Sequence, residues 1–196
     1  VQAAKPAATV TEKKTVNPFE TEEREIVRVL LKYFHQEVFE MEDEETHQVK
    51  TYTVGVYVLS ELHNDGLVSV NPKVKTILTD MEQNLNNKDF DPVKYFTQHP
   101  DNEISQYASN LLSEKYVESK RWSKGGAFIE SESELLYLLV PKLIQEYKLK
   151  NVKMLLKRLE HQINEANKSN ETEKLMECLN QYQNLKKIMK EQSELL

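Results

Sequence analysis

The last third of the chain most restricts how it can fold. From Glu134 onward, "ELLYLLVPKLIQEYKLKNVKMLLKRLEHQINEAN" places Leu143, Ile144, Tyr147, Val152, Leu155, Leu156, Leu159 and Ile163 at helical spacing through about five turns. The segment after it, "KSNETEKLMECLNQYQNLKKIMKEQSELL", sets Leu175, Cys178, Tyr182, Leu185 and Met189 at alternating three- and four-residue steps. Ser131 with Glu134, and Asn170 with Glu173, read as capping boxes opening the two helices. Two such helices joined by a short polar loop make an antiparallel hairpin. Pro141 interrupts the first pattern; because a proline costs about 3 kcal/mol in a helix interior, it is expected in the first turn of the long helix or at a kink.

A two-helix hairpin has no enclosed core, so part of its apolar surface is expected to stay open, where a partner would bind. The candidate contacts on its second helix are Tyr182, Leu185, Ile188 and Met189. Lys186, Lys187 and Lys190 would form the rim, and Leu195 and Leu196 would extend the apolar surface.

The preceding residues read as several short helices. Only four glycines and six prolines in 196 residues leave little material for a turn-rich β fold, so the expected class is all-α: a helical bundle, then a long helix and a C-terminal antiparallel helical hairpin. "NPFETEEREIVRVLLKYF" offers Asn17 as cap, Pro18 at the first helical position, Glu20 as the answering carboxylate, and Ile26, Val29, Leu30 and Tyr33 on one face. In "TYTVGVYVLSELHNDG", Tyr52, Val54, Val56 and Val58 alternate as a strand would. Val58, Leu59 and Leu62 keep helical spacing to a stop at Gly66, and the segment is read as a helix. "NPKVKTILTDMEQNL" repeats the Asn-Pro opening at Asn71 and Pro72 before an apolar stripe. In "YFTQHPDNEIS", Pro100 is expected to stop one helix at or before His99, and Asp101 to cap the helix carrying Ile104, Ala108, Leu111 and Leu112.

Charge divides the chain into three parts. Residues 17–134 hold 12 Lys or Arg against 23 Asp or Glu, whereas residues 135–196 hold 11 against 8. An acidic helical-bundle body and a mildly basic arm are therefore expected as separate units. Residues 1–16, rich in Ala, Lys and Thr without apolar periodicity, are expected to be a linker.

Several kinds of chemistry find no support. Cys178 is the only cysteine, and the five histidines (His35, His47, His63, His99, His161) show no metal-ligand spacing, so neither disulfide nor metal is expected. Gly125-Gly126 lacks the spacing of a phosphate-binding loop, and the acidic run at residues 40–47 lacks the alternating ligands of a calcium site and reads as a solvated loop. Tyr52, Tyr57, Tyr95, Tyr107 and Tyr116 lie in an acidic context that opposes a phosphate backbone, so tight nucleic-acid binding is not expected. No apolar run reaches the roughly 18 residues needed to span a bilayer, and the expected setting is soluble and cytoplasmic.

The order of three segments is distinctive. "NPFETEEREIVRVLLKYF", then "HPDNEISQYASNLLSEKYVESKRW", then "VPKLIQEYKLKNVKMLLKRL" resembles the C-terminal domain of bacterial DNA primase in one branch of bacteria. The resemblance implies a non-catalytic module that docks on the N-terminal domain of the hexameric replicative helicase and so brings primer synthesis to the replication fork. It implies no cofactor in this chain; the zinc and magnesium of the parent enzyme would belong to its other domains. Two alternatives stand beside it. His99-Pro100-Asp101 is also the tripeptide by which J-domain co-chaperones activate Hsp70, and the hairpin would suit a self-associating helical scaffold.

Overall fold

The computed structural model of the protein describes residues 17–42, 47, 49–113 and 131–193. The expected linker at 1–16, Tyr116, the Gly125-Gly126 loop, Leu195 and Leu196, and the middle of the acidic run lie outside the described residues. Among those described are seven α-helices and one two-stranded sheet, in the order α1 (Glu20–Tyr33), β1 (Glu37–Glu42), β2 (Val49–Thr53), α2 (Val54–Asn64), α3 (Pro72–Gln83), α4 (Pro92–Thr97), α5 (Asn102–Ser113), α6 (Leu136–Lys168) and α7 (Thr172–Ser193). The fold is helical as expected, with a bundle, a long helix and a C-terminal hairpin.

Helix α1 is the hub. Its expected stripe widens to include Val27 and Leu31 as well as Ile26, Val29 and Leu30, all buried, because α2, α3, α4, α5 and α6 pack around it. A helix enclosed this way also buries charges, and Glu23 and Arg28 are both inside. Glu23 takes hydrogen bonds from Asn17 Nδ2 (2.6 Å) and Ser69 Oγ (2.5 Å). The answering carboxylate at this helix start is therefore Glu23 rather than Glu20, one turn further in, where it also ties down the loop before α3. Asn17 Oδ1 accepts from the Phe19 amide (3.0 Å) in a turn, but α1 begins only at Glu20 with Phe19 at its cap position, so Asn17 is not the cap and Pro18 is not the first helical residue.

The segment at 51–64 is two elements. Thr51–Thr53 complete β2, which pairs antiparallel with β1, and the helix begins only at Val54 with Thr53 as its cap. The strand-like alternation at Tyr52 was real but short. The acidic run correspondingly begins in a strand, with Glu40 exposed on β1, and not in a loop. Gly55 lets the start of α2 meet the end of α1: its amide donates to the Phe34 carbonyl (2.9 Å), and a Cβ there would lie 2.7 Å from two atoms of the Phe34 ring. Gly55→Ala is expected to cost about 1–3 kcal/mol by overpacking, read by urea denaturation of the variant against the parent. At the other end of α2, Gly66 takes φ +60°, with its amide on the His63 carbonyl and the Leu67 amide on the Leu62 carbonyl, the Schellman termination expected of a glycine there.

Asn71 caps α3, accepting from the Lys73 amide, with Pro72 as the first helical residue. Asp101 Oδ1 accepts from the Glu103 amide (2.8 Å) at the start of α5. Asp101→Ala is expected to lower stability by about 0.5–2 kcal/mol, measured by thermal melting, because that amide then loses its acceptor.

The core extends past residue 135. Leu136, Val140, Ile144 and Tyr147 of α6 are buried with α1 residues in one cluster, so the first three turns of the expected basic arm complete the acidic body. Pro141 accordingly lies inside α6, beyond its first turn. Burial of Leu136 and Val140 begins the helix ahead of the proline and offsets its cost. Ser131 and Glu134 form half of the expected box, the Ser131 amide donating to Glu134 Oε2 (2.7 Å), in a turn that precedes the helix. Lys148 bonds to Glu61 and Asp65, and Lys150 to Glu22, so basic residues of α6 clamp it to α2 and α1. No helix among the described residues is long and apolar enough to cross a membrane.

Candidate docking surface

Beyond Asn151 the buried side chains of α6 no longer belong to the core cluster of the body, although Met154 still packs against it, and among the described residues the main partner of this stretch is α7. The connection is three residues, Ser169 to Glu171, and it is set by Asn170 at φ +56°. The Asn170 amide bonds to the Asn167 carbonyl and the Glu171 amide to the Ala166 carbonyl, which is again a Schellman motif. Asn170 thus terminates α6 instead of capping α7. Asparagine tolerates the left-handed region that so short a reversal demands, and that conformation takes it out of a capping role.

The seam of the hairpin runs largely where the spacing placed it, except that Leu155 of the expected stripe is left open, 42% exposed. Val152, Leu156, Leu159 and Ala166 of α6 and Cys178 of α7 are buried, and Leu175, Tyr182, Leu185 and Met189 are half-buried. Tyr182 Oη donates to Glu160 Oε1 across the pair (2.9 Å), and Lys186 Nζ stands 5.1 Å from the centre of the Tyr182 ring. Three of the candidate contacts, Tyr182, Leu185 and Met189, therefore spend much of their surface on the partner helix. Ile188 is open, 41% exposed, and Lys186, Lys187 and Lys190 are exposed.

Two further open apolar residues of α7, Met176 (61% exposed) and Leu179 (39%), fall outside the three-four spacing of the seam and so were not among the candidate contacts. Apolar residues off the seam of a paired helix are the signal that would have found them. At about 100° per residue, Ile188 lies on the flank opposite Leu179, while Lys186, seven residues on, lies on the same flank as Leu179. The outer surface of α7 thus has one flank with Met176, Leu179 and Lys186 and another with Ile188.

The segment before α6 is held by a clasp. Glu132 receives Arg28 Nη2 on one oxygen (2.5 Å) and Tyr33 Oη on the other (2.8 Å), and Gln36 Nε2 donates to the Ser133 carbonyl (3.0 Å). Burial alone would raise the Glu132 pKa, but the hydrogen bonds from Arg28 and Tyr33 outweigh it and hold the carboxyl below its ordinary value. Burial and the bond to Glu132 push Tyr33 up to about 12. The clasp fixes where α6 begins and so where the hairpin points.

His99 sits in the turn between α4 and α5. Its ring stacks on Phe96 at 18°, its Nδ1 accepts from the Asp101 amide (3.1 Å), and its Nε2 is 3.6 Å from Asp80. All of these contacts are made within the body. Among the described residues no group of three His, Cys, Asp or Glu could hold a metal ion.

Comparison with curated proteins and with solved structures gives no match. A family model described as "Domain of unknown function (DUF8430)" matches residues 9–196, nearly the whole chain, and the protein belongs to that family.

Proposed function

We propose that the chain is the non-catalytic C-terminal module of a DNA primase, which docks through its hairpin on the N-terminal domain of the hexameric replicative helicase and recruits primer synthesis to the replication fork in the cytoplasm. The observation that carries this reading is how the three distinctive segments combine. The first forms the hub α1, the described part of the second falls on α5 and the third on α6, and both of those helices pack on α1. The hairpin then carries open apolar side chains and basic residues away from the acidic body, as a tether requires. Lysines beside an apolar strip would steer encounter and make the on-rate salt-dependent, while Ile188 or Leu179 would supply the desolvated anchor. The module itself needs no cofactor for this role; zinc and magnesium would serve the parent enzyme elsewhere.

Co-precipitation of the purified protein with the replicative helicase tests the reading, and absence of a complex at low salt would reject it. His99→Gln separates it from the co-chaperone alternative. Because His99 is spent on Phe96 and the turn, the variant is expected to bind helicase unchanged and the parent to leave Hsp70 ATP hydrolysis unstimulated. A concentration-dependent dimer by sedimentation, in place of a helicase complex, would instead favour the self-associating scaffold.

A further inference from the structure

The bundle has a groove lined with aromatic rings, remote in sequence from α7. Phe39 on β1 is paired across the strands with Tyr52 on β2, and its ring centre lies 4.9 Å from that of Tyr57 on α2, tilted by 56°. These three half-buried rings and Pro141 of α6 line an open groove of about 610 Å³, which Glu61 also borders. Among the described residues Glu61 is the one charged side chain that lines the groove. Its carboxylate shares the Lys148 ammonium (2.5 Å) with Asp65 (2.7 Å), which lies outside the groove lining, so the trio at this edge carries one net negative charge in a body already rich in acid.

Aromatic faces attract cations, and a guanidinium stacks flat on them while its edge bonds a carboxylate. Extended proline-containing backbone, which loses little entropy on binding, fits grooves lined with aromatic rings. We infer that the groove between the β-hairpin, α2 and α6 binds an extended, arginine-bearing, proline-containing segment of another protein, with the guanidinium between Tyr52 or Phe39 and Glu61. The inference stands independently of the helicase reading, since none of these residues belongs to α7.

The test is an amide NMR titration at low salt with the end-blocked peptide Pro-Pro-Arg-Pro-Pro and its counterpart carrying Glu in place of Arg. Saturable shifts confined to the neighbourhood of Tyr52, Tyr57, Ser60 and Asn64 are expected with the first peptide and none with the second. Tyr52→Ala and Glu61→Gln, each checked for folding by circular dichroism, are expected to weaken binding by at least about tenfold and severalfold respectively. Shifts scattered over the acidic surface, or equal affinity in both folded variants, would overturn the assignment. Binding that emerges only after residues 1–16 are removed would also overturn it, in favour of the chain's own Lys5-Pro6 segment as occupant.

Discussion

Removing residues 170–196 is expected to abolish measurable binding to the helicase N-terminal domain while leaving the body folded. The body keeps α1 to α5 and the first turns of α6, whose Leu136, Val140, Ile144 and Tyr147 belong to a core cluster to which α7 contributes no residue. What the truncation takes away is the outer surface of α7 and the cover over Leu156 and Leu159. Calorimetric titration of parent and truncated chains against the helicase domain reads the first effect, and cooperative thermal melting by circular dichroism reads the second. Full affinity in a truncated chain that still melts cooperatively would move the tether onto the body. A finer variant avoids uncovering the seam: Ile188→Asp is expected to weaken binding by at least about 1–2 kcal/mol with little change in melting, since Ile188 is open. Tyr182→Ala is a poorer probe. Tyr182 bonds to Glu160 and carries Lys186, so its loss is expected to loosen the hairpin itself.

Glu132→Ala is expected to destabilise the protein by about 3 kcal/mol, because it removes one of the carboxylates, Glu132 and Glu25, that bond the buried Arg28 guanidinium. The same clasp sets a pH dependence with a definite sign. The Glu132 pKa is depressed in the folded protein, so its contribution is present above the ordinary carboxylate pKa and is lost as pH falls through the folded value. Tyr33 behaves in the opposite sense. Its pKa is raised to about 12, so its contribution is complete below the unfolded value of 10.0 and disappears as pH rises between the two. Urea denaturation across pH should therefore show Glu132→Gln less stable than the parent at neutral pH, with the difference shrinking in acid. A difference that stays constant down to strongly acidic pH would remove the clasp as its cause.

The elements legible in the sequence were those whose cause is local. Asn71-Pro72 and Asp101 start helices by accepting amides two residues on, and Gly66 ends one by taking a positive φ. The apolar spacing through Val152, Leu156, Leu159 and Cys178 places the hairpin seam without reference to anything else. Other features waited on contacts between distant residues. Arg28 meets Glu132 across 104 positions, and no periodicity announces a pairing whose reason is that α1 is enclosed. Pro141 lies within a helix because Leu136 and Val140 have core to fill, and Tyr52 is in a strand because β1 is beside it. Asn170 could have capped the helix after it or ended the one before it; a three-residue reversal admits only the second. Local chemistry determined which segments are mainly helical, where α3 and α5 start and most of the residues that face a partner helix. Tertiary packing alone decided which charges are buried and which apolar residues stay open, since both depend on what the rest of the chain brings alongside.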